Sequence, residues 1–478
     1  MTLSACSARN VTPRPLDALF SPAELRADVA RLRSSLSEGH PGLTKYRTQR
    51  EIDSIFNALD DSIRTPRTAL QFWNIANRAV NGIRDDHTSI VPNQAILSAL
   101  YSDPGSALPL KLAIIDDRLF VTGNYLGDNG PPNGSEILAV NGVAARTYIE
   151  ECRSAVPTDG VVKTRAPRKV ERDFELTCSL VHGMPSSYDL IVRRPQGDSV
   201  PVTVKAVKWS ERRRLLRATM PQDSSVNINA TLEFRDSSRI AVLTLPNGFT
   251  KTGSFTPSEF LDQAFERIQS SGATRLIIDL RGNTGGTDRY AGSLFKRIAI
   301  DTFTYYTQRK VNHTHYRFLK GTDDWMLNYA FRLRFWWFKK NPAGGYFLNL
   351  PLDKKMKPDA KAFTGPVYLL VDGNSVSTAS EFASVFKARS RGTIIGEETG
   401  SALSGGTGAD VSVVLPNSGL ILNVPLMTAC IAPRASSRDN PGRGVMPDVP
   451  VNPTLADLLS RRDVAMEKAL ELARSDLR

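Results

Sequence analysis

Two loops gather the residue types that acyl chemistry uses. Residues 372–382, "DGNSVSTASEF", hold Ser375, Ser377, Thr378 and Ser380 where the apolar run "VYLLV" hands over to a helical pattern. A hydroxyl at a helix N-terminus lies where the positive end of the dipole lowers the cost of negative charge on oxygen. That suits a nucleophile, although a nucleophilic serine also needs a base. The same serines are what a helix start uses as caps, with Ser377 accepting from the amide three residues on. The two readings stay open on these residues alone. The second loop, Arg281-Gly282-Asn283-Thr284-Gly285-Gly286, follows the run "LIIDL". Its successive amides would suit an anion or a developing oxyanion, and a purely structural glycine turn fits equally well. It lacks the Gly-Lys-Ser/Thr ending of a phosphate loop.

The elements around these loops alternate. Residues 239–245, 274–280, "PVYLLVD" and "GTIIGEE" read as strands. "FTPSEFLDQAFERIQSSG", ending at Gly272, "TDRYAGSLFKRIA" and "STASEFASVFKARS" read as the helices between them. Such units imply a mostly parallel sheet with right-handed crossovers, and functional loops gather at the carboxyl ends of its strands. An aromatic-rich insertion, 302–363, separates two of the strands.

Upstream, Ser21, Pro22 and Glu24 read as cap, first position and capping partner of a helix. Two more helical patterns follow, so residues 1–100 form an N-terminal helical domain ending in "RDDHTSIVP" (84–92). Residues 105–210 read as a β-rich module with one or two helices and a hairpin over 188–207. Residues 215–478 form the alternating α/β domain.

The chain has 478 residues, 41% hydrophobic and 23% charged, as expected of a globular protein. No run of about 18 apolar residues suggests a membrane span. The formal charge of +12 is spread along the chain, which argues for solubility and steering rather than nucleic-acid binding. Four cysteines, Cys6, Cys152, Cys178 and Cys430, are too few and scattered for a disulfide framework or a zinc site. The last three read as buried apolar filler. "LSAC", ending at Cys6, resembles a bacterial lipobox, but too few residues precede it for a complete signal.

Four motifs in order, "IDLRGNTGG", "VDGNSVSTASEF", "IIGEETG" and "GRGVMPDVPV", resemble the tail-specific, or carboxy-terminal processing, serine peptidases. "GSEILAVNG" (134–142) is similar to a signature of the PDZ module that this family usually carries. The resemblance implies an α/β fold: a mostly parallel, ClpP/crotonase-like catalytic domain with a PDZ-like module and an N-terminal helical domain. It makes Ser377 the nucleophile, counted back from Phe382 and from Gly396, and leaves Ser375 and Ser380 to capping or packing. It also implies an oxyanion hole at Gly285, Gly286 and Thr378.

The lysine base of bacterial processing members is absent, since its position holds Ala402. The tricorn-core-like branch of the family uses a histidine instead, and "RDDHTS" makes His87 that base, with an apparent pKa of about 6–7. His40, His182, His313 and His315 match nothing. The orienting acid is expected at Asp439, shortly before the "GxxPD"-type turn, with Asp86 as the second candidate.

The expected protein is a serine-type endopeptidase acting on peptides or unfolded protein. It needs no metal or cofactor and has no nucleic-acid partner. It belongs in the periplasm or on the outer surface, and is anchored by a lipid on Cys6 if the "LSAC" match is a true lipobox rather than a chance one. The rival expectations are a peptide- or hydrophobic-ligand-binding protein on the same fold and, more weakly, a serine amide or lactam hydrolase.

Overall fold

Three capping boxes start the chain's first helices. In the computed structural model, which describes residues 14–101, 106–218, 230–320, 322–431 and 442–475, Ser21 pairs with Glu24, Thr48 with Glu51 and Thr68 with Gln71. Each box satisfies amides that the helix itself leaves open. The helices Pro22–Gly39, Gln49–Ser62 and Ala69–Asn81 bury Leu25, Leu32, Phe56, Phe72 and Trp73. Their core is not closed by these helices alone. It continues through Tyr316 and Phe318 of the insertion and through Val411, Val413, Leu422 and Val424. The N-terminal helices are thereby packed directly against a distant hairpin, Thr407–Val414 with Ile421–Cys430.

The β-rich region is an antiparallel sheet of Leu110–Ile115, Arg118–Asn124, Glu136–Val140, Ser187–Arg193 and Ser199–Lys205, with Val143–Ala144 at its side. The last two long strands are the hairpin expected over 188–207. Three helices pack with this sheet rather than one or two: Ala145–Ser154, Arg165–Arg172 and Phe174–His182. The middle one buries only Val170, so it carries almost no apolar periodicity to read.

A second six-stranded sheet runs Thr231–Arg235, Ile240–Thr244, Arg275–Asp279, Val367–Val371, Thr393–Gly396, Val449–Pro450. Its first pair is antiparallel and the other four are parallel. The central strands are continuous apolar runs because both faces are covered. Helices Pro257–Ser271, Asp288–Lys296 and Thr378–Ala388 cover one face, and Val464–Ser475 covers the other. Gly272 ends the first of these with a left-handed φ of 71°.

The third six-stranded sheet was not anticipated. It joins Phe338–Lys340, Tyr346–Leu348 and Gln308–Val311 of the insertion to the hairpin 407–430, with Ser89–Val91 pairing on Ile421–Asn423. All its pairings are antiparallel, so "mostly parallel" holds for one of the three six-stranded sheets among the described residues, and the fold is mixed α/β. Among the described residues no helix is long and apolar enough to cross a membrane.

Candidate active site

Ser377 stands between the strand Val367–Val371 and the helix Thr378–Ala388. The turn leading to it is tied to the glycine loop at several points. Ser375 donates through Oγ to the Leu280 carbonyl at 2.8 Å, Asp372 accepts from the Gly282 amide at 3.0 Å, and the Val376 amide donates to Asn283 O at 3.1 Å. Ser377 has φ 52° and ψ −129°, a region costly for any residue with a Cβ, and its side chain makes no capping bond. Strain of this kind persists only where the surroundings enforce it. The capping reading of its hydroxyl therefore does not apply. Ser380 is fully buried, bonded to Ser401 O and Thr399 Oγ1 at 2.8 Å each, and is a packing residue.

His87 follows a turn shaped by the buried carboxylate of Asp85, which accepts from the amides of His87 and Thr88 and from Thr407 Oγ1. The imidazole faces Ser377, with Nε2 3.1 Å from Oγ. Its Nδ1 is 2.8 Å from Asp410 Oδ2. Asp439, where the acid was expected, lies outside the described residues, and the carboxylate that meets Nδ1 is Asp410. Ala409, just before it, has a φ of 56°, a second non-glycine residue held in a sparsely populated conformation beside the site.

Asp86, the other candidate acid, is on the opposite side of the ring, with Oδ1 4.0 Å from Nε2. Its Oδ2 accepts from Ser401 Oγ at 2.5 Å, and Ser401 Oγ accepts the Ser377 amide at 2.8 Å. Asp86 thus reaches the serine through Ser401 and does not orient the ring through Nδ1. Ser401 is the immediate neighbour of Ala402, the position at which a lysine base is absent, and no motif in the sequence marks it.

Burial would lower the pKa of His87, but the charges of Asp410, Asp86 and Asp85 outweigh it and raise the imidazole well above its ordinary range. His40 is buried behind this cluster, its Nε2 3.7 Å from Asp85 Oδ2, and desolvation lowers its pKa. The apposition of Ser377, His87 and Asp410 can move a proton from a hydroxyl to an imidazole held by a carboxylate.

The glycine loop lies against the serine. A Cβ at Gly285, whose φ is 96°, would meet Ser377 Cβ at 2.8 Å and the Thr378 nitrogen at 3.1 Å. The Gly285 amide donates to Asn283 Oδ1 at 2.8 Å, so this donor is engaged and the oxyanion role expected of it is corrected. Thr378 Oγ1 donates to Gly286 O at 2.9 Å. The Thr378 amide, at the first helical position, is one that a helix leaves without an internal partner. Among the described residues no group of three or more His, Cys, Asp or Glu side chains is arranged to hold a metal ion.

The insertion reaches the site from the side. Asp324 Oδ2 accepts from the Ser412 amide at 3.0 Å, two residues beyond Asp410. Next to it, Trp325, Met326, Tyr329 and Leu333 are exposed. A cavity of about 460 Å³ near the serine turn is lined by Arg168, Asp372, Asn374 and Glu397 among others, but by none of Ser377, His87 or Asp410.

Residues 239–451 match the profile of peptidase family S41. These residues belong to that family, the tail-specific serine peptidases. With this match the segment stands among the serine-type peptidases, which are hydrolases. Ser377 and Asp410 fall inside the matched segment and His87 lies outside it. The fold as a whole is similar to the crystal structure of mature CPAF, with a TM-score of 0.65 and 15% identity over 95% of this chain and 98% of that one. Mature CPAF complexed with lactacystin gives 0.66 and 16% over the same shares. At such identity the likeness is one of fold. No curated protein matches the sequence.

Proposed function

We propose that this S41 peptidase is an endopeptidase for extended peptides or unfolded protein, with Ser377 as nucleophile, His87 as general base and acid, and Asp410 as the orienting carboxylate. The observation that carries this reading is the pair of contacts on one imidazole, 3.1 Å to Ser377 Oγ and 2.8 Å to Asp410 Oδ2. Ser377 Oγ attacks the scissile carbonyl as its proton passes to His87 Nε2. Asp410 holds the Nδ1 proton and steadies the imidazolium, without itself taking a proton. The amides of Thr378 and Gly286 receive the oxyanion. His87 then returns the proton to the leaving amine, and water repeats the sequence on the acyl-enzyme.

The antiparallel region 105–210 is PDZ-like in this reading, and it presents substrate by adding an extended strand to a sheet edge. Export to the periplasm or outer surface, with Cys6 as an anchor, completes the proposal; Cys6 lies outside the described residues.

The test is turnover of an unfolded, fluorescently quenched protein substrate by the full chain and by Ser377→Ala. Cleavage by the parent that disappears in the variant supports the reading. Peptide binding by both without cleavage by either would leave a binding protein on the same fold.

A further inference from the structure

Cys152 and Cys178 face each other from two helices of the β-rich region, Ala145–Ser154 and Phe174–His182. Both are buried, and their sulfurs are in contact at 2.6 Å. A third group joins them. His182, one turn beyond Cys178, stacks on Tyr148 with ring centroids 3.7 Å apart, places Nε2 3.3 Å from the Tyr148 carbonyl, and has Nδ1 3.5 Å from Glu151 Oε2. We propose that Cys152 and Cys178 are a disulfide-forming pair that staples these two helices together. Two thiols already in contact join without the helices having to be brought together first.

The thiol chemistry fits. Burial pushes the Cys152 thiol up, yet its contacts with Cys178 and His182 bring it down to about 7, so a useful fraction is thiolate at neutral pH. The Cys152 thiolate attacks a small-molecule disulfide such as oxidised glutathione and expels one glutathione thiolate. Cys178 then gives up its proton, attacks the mixed disulfide at Cys152, and releases the second glutathione. The two cysteines are oxidised by two electrons, and one glutathione disulfide is reduced to two thiols.

The position of the staple gives it a consequence. Between the two cysteines lies the helix Arg165–Arg172, which docks on the serine turn. Arg165 Nη1 and the Arg168 carbonyl both bond Asn374, at 3.4 Å each, Arg168 pairs with Glu397, and Thr164 Oγ1 donates to Glu398 O at 2.8 Å. Closing the loop that contains this helix restricts how far it can leave the turn that carries Ser377.

The experiment uses the full chain carrying Cys6→Ser and Cys430→Ser, which leaves the pair as its only thiols. It is unfolded, refolded in a buffer of reduced and oxidised glutathione, quenched, and alkylated in denaturant. The expected product takes up no alkyl group, is about 2 mass units lighter than the reduced chain, and gives one cross-linked peptide after digestion. Two alkyl groups, or glutathione adducts in place of a cross-link, overturn the proposal. Amide hydrogen exchange over 165–172 supplies a second readout. Slower exchange in the oxidised chain is expected, and equal rates in the two forms overturn the bracing role. Neither readout depends on catalysis, so both remain decisive if the peptidase reading fails.

Discussion

His87 and Asp410 are 323 positions apart in the chain, and their side chains meet at 2.8 Å through Nδ1 and Oδ2. The contact exists because Asp85 folds the histidine turn onto Thr407, at the start of the strand that carries Asp410. On the other ring nitrogen stands Ser377. A carboxylate in this position fixes which nitrogen bears the proton, and so leaves Nε2 able to accept one.

Replacement of Asp410 by Asn preserves the shape and removes the charge. It is expected to lower kcat by on the order of 10²–10⁴-fold with KM little changed, because the wrong tautomer now faces Ser377. Steady-state kinetics on a peptide substrate checks this. An Asp410→Asn enzyme with near-parental kcat would return the orienting role to another acid, Asp439 first.

The pH profile carries a definite sign. Protonated His87 cannot accept the Ser377 proton, so kcat/KM rises with pH through the pKa of the free enzyme's base. Burial pulls that pKa down and the carboxylates of Asp410, Asp86 and Asp85 pull it up further, leaving it above 6.5. The midpoint is therefore expected higher than the ordinary histidine range that the sequence suggested. In Asp410→Asn it should move down, since burial then meets fewer opposing charges. A raised folded-state pKa also means that protonated His87 favours the folded chain. That contribution is complete below an unfolded pKa of about 6.5 and is lost as pH rises through the folded value.

Ser401 is expected to matter through the backbone of its neighbour. Ser401→Ala removes the acceptor for the Ser377 amide and the donor to Asp86, and should destabilise the fold by about 1–3 kcal/mol. Because the lost bond also holds Ser377 at its strained φ, kcat should fall by more than KM changes. Ser401→Thr, which keeps the hydroxyl, should restore most of it. Chemical denaturation together with kinetics separates the two effects; equal kcat in the alanine and parent enzymes would reduce Ser401 to packing.

Gly285→Ala places a methyl 2.8 Å from Ser377 Cβ at a backbone φ of 96°. The loop must shift or the serine must move, so activity should drop sharply while stability falls by about 1–3 kcal/mol. Gly282→Ala is the comparison. It also has positive φ, 74°, but nothing lies within 4 Å of its added Cβ, and it should lose stability with less loss of rate.

Which parts could be read ahead follows from how local their causes are. The parallel strands were legible because runs such as "LIID" and "VYLLV" are buried on both faces, and the helix starts because Ser21 and Glu24 are three residues apart. Ser377 and His87 were reached through motifs. Asp410 was not, because it sits in "GADVSVV", a strand without a motif, and only the pairing of Thr407–Val414 with Ile421–Cys430 and of that strand with Ser89–Val91 brings it near His87. The third sheet was hidden for the same reason, being assembled from segments around 90, 310, 340 and 420. The cysteines look like filler in the sequence because two thiols 26 positions apart show no relationship until both helices are placed.

Covalent labelling tests the central claim most directly. The full chain is treated with a fluorophosphonate at a pH above the His87 midpoint, digested, and the adduct mapped by mass spectrometry. The expected adduct is on Ser377, absent in Ser377→Ala and strongly slowed in His87→Ala, with Ser380→Ala labelled as fast as the parent. An adduct on Ser380, or a rate indifferent to His87, would contradict the proposed triad.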